Sequence, residues 1–216
     1  GTKKIIIELG TDDKTFLFNT SAGITISSGG SLEIRRGILI EPDNPSIGRH
    51  VEGGGNLIMS GGEYQFLRVA KTTDVPRLSG TYSLTGGTIH LAASGNQKLR
   101  SGKTYVNLKF SGSDTVFISN TPDIGSITVT DSKILEIGNS SFGGTGTNLL
   151  MTGGRLRYKK VTGTLPEMTG TYSLTGGTIE FYGTSATQTQ TLRNNVTYYD
   201  IEINATAANT TSGNVA

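Results

Sequence analysis

Apolar and polar side chains alternate over short stretches along almost the whole chain, and each stretch ends within a few residues at Gly, Asn, Asp or Ser. Such period-two alternation marks a strand with one face buried and the other toward water. The pattern predicts strands over 5–9, 15–18, 24–26, 31–34 and 38–40, then 56–59, 63–67, 81–84, 88–91 and 104–110. A second series follows over 115–118, 126–129, 134–137, 148–151, 155–158, 171–174, 178–181 and 197–203. Strands this short and this frequent, bounded by turn-forming residues, predict an all-β protein. No stretch carries the i, i+3, i+4, i+7 spacing of an amphipathic helix.

The chain also repeats itself. The phrase Gly-Thr-Tyr-Ser-Leu-Thr-Gly-Gly-Thr-Ile fills 80–89 and, unchanged, 170–179. Around it, Asn56-Leu57-Ile58-Met59-Ser60-Gly61-Gly62 matches Asn148-Leu149-Leu150-Met151-Thr152-Gly153-Gly154, and 104–110 matches 197–203. A period of about 90 residues exceeds the roughly 20–50 of a single repeat unit, so each copy holds several turns of structure. Paired positions sort into two kinds. Ile89/Ile179, Leu91/Phe181, Leu108/Ile201 and Phe110/Ile203 stay apolar, whereas His90/Glu180, Asn107/Asp200 and Lys109/Glu202 drift, even in sign of charge. The retained set is expected to face a core and the drifting set to face water.

Two architectures fit this pattern, a single-stranded right-handed parallel β-helix (β-solenoid) and tandem β-sandwiches. Sandwiches call for a linker where composition shifts, and none is visible. The Leu-x-Gly-Gly-Thr-Ile corner joins one short strand directly to the next, as a solenoid side must turn into the following side. One continuous β-solenoid over 1–216 is therefore expected, with the long internal repeat at about 56–110 and 148–203. At about 20–25 residues per coil, each repeat would hold about four coils and the chain about nine or ten. A spacing of about 4.8 Å per coil gives a rod of about 45 Å. The pairs Gly61-Gly62, Gly86-Gly87, Gly153-Gly154 and Gly176-Gly177 are assigned to the corners, where positive φ costs glycine no Cβ clash. The chain opens in strand-like Ile5-Ile6-Ile7 and stops in mid-pattern at Gly213-Asn214-Val215-Ala216, as a piece of something longer would.

Composition narrows the function classes. With 31 Gly and only 5 Pro, turns are many and built from glycine and short polar residues. A net charge of +2, with no basic run interleaved with aromatics, argues against nucleic acid. Lys3-Lys4, Arg35-Arg36 and Lys159-Lys160 read as solvated strand edges or loops. Cysteine is absent, which excludes disulfides and thiolate metal sites. No apolar stretch approaches the roughly 18 residues that cross a bilayer, so membrane insertion is not expected.

Candidate chemistry is sparse. Asp12-Asp13, the only adjacent acidic pair, lies in a turn rather than across a cleft as glycoside hydrolysis requires. Asp114, Asp123 and Asp131 are scattered and form no Asp-x-Asp-x-Asp run, which leaves calcium open without predicting it; no cofactor is expected. The only imidazoles are His50, in a polar loop over 49–52, and His90, on an outward position where the other copy has Glu180. His90 is read as part of a solvated face, and with no Gly-x-Ser-x-Gly motif no triad is expected. Gly143-Gly144-Thr145-Gly146 lacks the lysine of a phosphate loop and reads as a turn. Tyr82 and Tyr172 share one repeat position and are the ligand-binding candidates, as a sugar platform, against the simpler reading of strand-face packing. Asn-x-Ser/Thr triplets at Asn19, Asn139, Asn195, Asn204 and Asn209 matter only in a eukaryotic secretory route.

The run from 169 to 192, Thr-Gly-Thr-Tyr-Ser-Leu-Thr-Gly-Gly-Thr-Ile-Glu-Phe-Tyr-Gly-Thr-Ser-Ala-Thr-Gln-Thr-Gln-Thr-Leu, is followed at 198–204 by Tyr-Tyr-Asp-Ile-Glu-Ile-Asn. Together they resemble the repeats of very large secreted, adhesin-like surface proteins of the Bacteroidota. Those repeats commonly read Gly-Thr-x-x-Phe-x-Gly, then Gln-Thr-Leu or Gln-Thr-Ile, then Tyr-x-x-Leu-x-Ile-Asn. The resemblance covers most of 56–210 and implies export by the type IX route, a secreted or cell-surface location and a parallel β-helical stalk. The carboxy-terminal sorting domain of that route is not in this sequence. Asp114-Thr115-Val116 also looks like the short O-glycosylation motif of that phylum. The function expected is a non-enzymatic structural segment of an adhesin or fibre, and the alternative is a carbohydrate-binding or polysaccharide-degrading β-helix. Its expected partners are other coils or domains of the same long polypeptide, with self-association into filaments or contact with surface glycans as further options.

Overall fold

A computed structural model describes residues 3–17, 23–42, 50–67, 70–119, 123–138, 141–160, 162–183, 189–205 and 210–212. Residue 18 of the strand expected over 15–18, residue 49 of the polar loop, the triplets at Asn19, Asn139 and Asn209, and 213–216 lie outside the described residues. Among the described residues there is no helix and every strand pairing is parallel. Parallel pairing follows from winding, because each coil returns to a side in the direction in which the previous coil left it. The fold is a β-solenoid, and the antiparallel pairing that sandwiches need is missing among the described residues.

The first coil lays Lys4–Glu8 on a first side, Thr15–Leu17 on a second and Ile24–Thr25 in a short sheet of its own. The second repeats the order with Ser31–Arg36, Ile38–Glu41 and Val51–Gly53. Asn56–Met59, Glu63–Phe66, Ala70–Val75 and Arg77–Leu78 form the third, where Arg77–Leu78 closes the short sheet on Val51–Gly53 and Ala70–Val75 starts a separate third side, which Gln97–Leu99 continues after Tyr82–Leu84 and Thr88–Leu91 in the fourth. Here the first side ends. Only residues 100–104 separate Gln97–Leu99 from Tyr105–Phe110, too few for a strand and two corners, so the chain turns straight onto the second side. Tyr105–Phe110 and Thr115–Ile118, then Ile124–Val129 and Ile134–Ile137, hold the second and third sides alone. From there Asn148–Tyr158 bends from the second side onto the third, and Thr162–Leu165 opens a new sheet in the place that the first side held in chain order. Tyr172–Gly183 and Thr189–Leu192 repeat that course, and Asp200–Ala205 with Thr210–Ser212 extends it.

Because of the shortened coils, the two copies of the repeat lie on different sides. Leu57 stacks between Leu32 and Tyr82 on the first side, whereas its counterpart Leu149 stacks between Ile127 and Tyr172 on the second. Tracing the chain from Leu57 takes one side to reach Tyr64, then the column Tyr64, Ile89, Leu108, Ile127, Leu149 takes four coils. The repeat spans four coils and one side, and the second copy is turned one side around the axis.

Inward positions make continuous columns. On the second side Phe16, Leu39, Tyr64, Ile89, Leu108, Ile127, Leu149 and Tyr172 stack in register, seven coil-to-coil steps that span about 34 Å at about 4.8 Å each, with Phe16 at the end of the column 43% exposed and the six between Phe16 and Tyr172 buried. This gives a solenoid of about seven turns along its longest ladder, fewer than the about nine or ten expected. The early coils are long, at 27 residues from Ile5 to Leu32 and 25 from Leu32 to Leu57, and the segments beyond the column form partial coils. Leu91 and Phe181 are fully buried, as the alternation requires. Removing such columns from water drives the fold at roughly 25 cal/mol per Å².

The glycine pairs occupy the corners, and their two members serve different needs. The second of each pair, Gly62, Gly87, Gly154 and Gly177, has positive φ. The first has no room for a side chain: a Cβ on Gly61, Gly86, Gly153 or Gly176 would stand 2.5–2.7 Å from a carbonyl oxygen of the preceding coil. In the second copy the strands run on through these corners, with shifts in register marking the bend.

Candidate functional site

His90 and Glu180 occupy outward positions as expected, but neither is solvated: their exposures are 5% and 1%. In a parallel stack equivalent side chains recur about every 4.8 Å, so a long polar chain lies across its neighbours on adjoining coils and is covered by them. His90 Nδ1 lies 2.6 Å from Glu63 Oε1, and Nε2 lies 2.6 Å from Ser111 Oγ. Lys109 Nζ stands 3.9 Å from the other Glu63 oxygen. Glu63, His90 and Ser111 come from three successive coils. Burial pushes the Glu63 carboxyl up, but the hydrogen bond and charge of His90, joined by Lys109, outweigh it and hold the group below the usual carboxylate range.

The second copy builds the same network with the signs reversed. Arg155, Glu180 and Glu202 stand where the first copy has Glu63, His90 and Lys109, so a central anion with two cationic or ionisable partners becomes a central cation with two anions. Arg155 Nη1 lies 3.1 Å from Glu180 and also pairs with Glu202, Arg157 Nε donates to Glu180 at 2.7 Å, and Asn204 Nδ2 donates to it at 3.3 Å. Burial raises the Glu180 carboxyl, while Arg157, Asn204 and Arg155 more than offset this and keep it below its ordinary value. Further pairs cross coils on the same side: Lys98 with Asp74 at 2.8 Å, Arg157 with Glu136 at 3.6 Å and Lys159 with Glu136 at 2.8 Å. Lys159 and Lys160, read from the sequence as solvated, are thus half-buried, and Lys160 pairs with Glu167. Ion pairs thus link neighbouring coils across the outer face, with Glu180 and His90 buried among partly exposed partners.

Tyr82 and Tyr172 serve the corners. Tyr82 donates its hydroxyl to Leu78 O at 2.9 Å and Tyr172 donates to Met168 O, while Tyr105 and Tyr198 make the equivalent bonds to Arg100 O at 2.8 Å and Arg193 O at 3.1 Å. Burial raises the Tyr82 phenol and brings that of Tyr172 to about 12. The Lys103 ammonium sits 4.9 Å over the Tyr82 ring, and Tyr105 meets that ring edge-on at 6.1 Å. Two further features recur between copies. Asn56 accepts from Thr81 N, and Asn148 from Thr171 N, each at 2.8 Å; Arg100 donates to Pro76 O, and Arg193 to Pro166 O, each at 2.7 Å.

The remaining candidates stay apart. Asp12 and Asp13 are exposed in their turn, with Thr11 donating to Asp13 and Arg36 at 4.0 Å from Asp12. His50, expected in a polar loop, is buried at the entry to the strand Val51–Gly53, with Nε2 2.9 Å from Glu52. Asp114 and Asp131 have positive φ in separate turns, and Thr115 lies outward on the third side with its backbone N–H donating to Asn96 Oδ1. Among the described residues no group of three or more His, Cys, Asp or Glu is arranged to hold a metal ion. One group escaped the sequence reading altogether: Lys133 is fully buried, and its ammonium donates to Ala93 O and Ser113 O at 2.8 Å each and to Gln97 Oε1 at 3.4 Å. Burial lowers it to about 8, against an opposing pull from Asp114. Comparison of the chain with protein-family models, with curated proteins and with solved structures gives no match.

Proposed function

We propose that the chain is a structural stalk segment of a secreted or cell-surface adhesin or fibre, spacing other parts of a longer polypeptide. The observation that carries this reading is the in-register column from Phe16 to Tyr172, sheathed outside by polar pairs that each tie two or three coils. Bending such a rod would separate a shared ladder and a shared core at once, which suits it to hold a distance. Use of Tyr82 as a sugar platform is disfavoured by the lysine already over its ring. The test places the segment between two fluorophore-bearing domains and reads their separation by single-molecule energy transfer. A spacer gives one narrow distance that survives added salt; a broad, salt-sensitive distribution rejects the role. A glycan array run in parallel separates the carbohydrate-binding alternative, which requires binding that Tyr172→Ala abolishes.

A further inference from the structure

The outer face of the first copy holds a hydroxyl, an imidazole and a carboxylate in the serial order of nucleophilic catalysis. Ser111 Oγ is 2.6 Å from His90 Nε2, and His90 Nδ1 is 2.6 Å from Glu63 Oε1. A carboxylate on Nδ1 favours the tautomer with its proton there, leaving Nε2 free to accept from the hydroxyl. The imidazole is held from both ends and buried, while Ser111 is only partly covered. Lys109, two residues before Ser111 in the chain, supplies a cation on the same face.

We propose that Ser111, His90 and Glu63 form an acyl-transfer site for carboxylic esters, an activity beyond the mechanical role and independent of it. In the forward step Ser111 Oγ bonds to the ester carbonyl carbon and its proton passes to His90 Nε2, with Lys109 facing the developing oxyanion. Collapse breaks the bond to the alcohol oxygen, which leaves with the proton from His90, and an acyl-Ser111 remains. Water, deprotonated by His90, then releases the carboxylic acid and restores the hydroxyl. Glu63 acts as the positioning residue throughout.

The location favours an acyl group carried on a polar support. The site lies on a flat sheet face, and beside it runs an open groove of about 470 Å³ lined in part by Asp12, Arg35, Arg36, Glu63 and Thr88. The second copy provides the contrast. A cross-link between coils is achieved there by Arg155, Glu180 and Asn204, with no hydroxyl–imidazole pair, so stability alone does not require the Ser-His-Glu set.

The experiment treats the purified chain with a fluorophosphonate, whose fluoride is displaced when a serine oxygen bonds to phosphorus, and maps the adduct by peptide mass spectrometry. The expected result is an adduct on Ser111 formed at least about 100-fold faster than on exposed Ser83 or Ser94, the scale of general-base assistance. His90→Gln should slow it by a similar factor, with the circular-dichroism spectrum unchanged. Ser111 labelling no faster than Ser83 and Ser94 in the unaltered chain overturns the proposal whether or not a variant folds. So does equal labelling in a folded His90→Gln protein.

Discussion

Lys133 offers the sharpest quantitative test, because its ammonium is enclosed within the solenoid and yet bonded only to uncharged oxygens. Burial brings its folded value to about 8 from an ordinary 10.5. For a base lowered on folding, the unfolded chain binds more protons between these two values, so stability rises with pH across that window. The full burial penalty is present below pH of about 8 and vanishes above about 10.5. At about 1.4 kcal/mol per pKa unit, a drop of about 2.5 corresponds to at most about 3.5 kcal/mol, of which about 3 falls between pH 7 and 10.5. Lys133→Met keeps the volume and removes the titration. It also leaves Ala93 O and Ser113 O without a donor, at about 1–3 kcal/mol each, but that cost does not vary with pH. Urea unfolding of both proteins at intervals from pH 7 to 10.5 isolates the difference. Stability of the unaltered chain minus that of Lys133→Met should climb by up to about 3 kcal/mol, with a slope approaching about 1.4 kcal/mol per pH unit. A difference that stays flat, or that falls with pH, would show that the buried ammonium is not held as described.

Three further perturbations address the core, the repeated corner and the glycine pairs. Leu156→Ala, at a fully buried position stacked between Leu135 and Ile179, should cost about 2–5 kcal/mol in urea unfolding. Asn56→Ala and Asn148→Ala each delete an acceptor 2.8 Å from a backbone N–H, so each should cost about 1 kcal/mol and speed hydrogen exchange at Thr81 or Thr171 respectively. Gly62→Ala forces a side chain into a left-handed conformation with its Cβ 2.6 Å from Gly37 O, and a loss of about 1–3 kcal/mol or more should appear in the melting temperature.

Much of the fold could be read from the chain because inward positions have few substitutes. Ile89/Ile179 and Leu91/Phe181 kept their apolar character between copies, and all four are buried, whereas Ile203, expected to face the core like its counterpart Phe110, is 51% exposed on the last strand of its ladder among the described residues. Gly61-Gly62 and its equivalents announced corners because no other residue meets both the missing Cβ space and the positive φ. Alternation did not reveal what covers an outward residue. His90 and Glu180 looked solvated along their own strands, and only stacking across coils buries them under Glu63, Ser111, Arg155 and Arg157. The same limit hid the Ser111-His90-Glu63 alignment, whose members are 21 and 27 residues apart and match no contiguous motif. A signal was present: a residue that changes from Glu63 to Arg155 while its partners change from His90 and Lys109 to Glu180 and Glu202 points to contact among the three. The one-side rotation was hidden because it depends on the shortness of the segment at 100–104, which no single strand records.

The most direct measurement of the wound architecture uses the absence of native cysteine. Thr128→Cys with Leu150→Cys places two thiols at paired positions on adjacent second-side strands, and Ile58→Cys with Ser83→Cys does so on the first side. Neighbouring strands about 4.8 Å apart fall within the about 4.4–6.8 Å that a disulfide spans. Under mild oxidation both pairs should close within one molecule, seen as a loss of two hydrogens in the intact mass. Closure at 58/83 with none at 128/150 would place the second copy back on the first side, and failure of both would contradict the parallel solenoid itself.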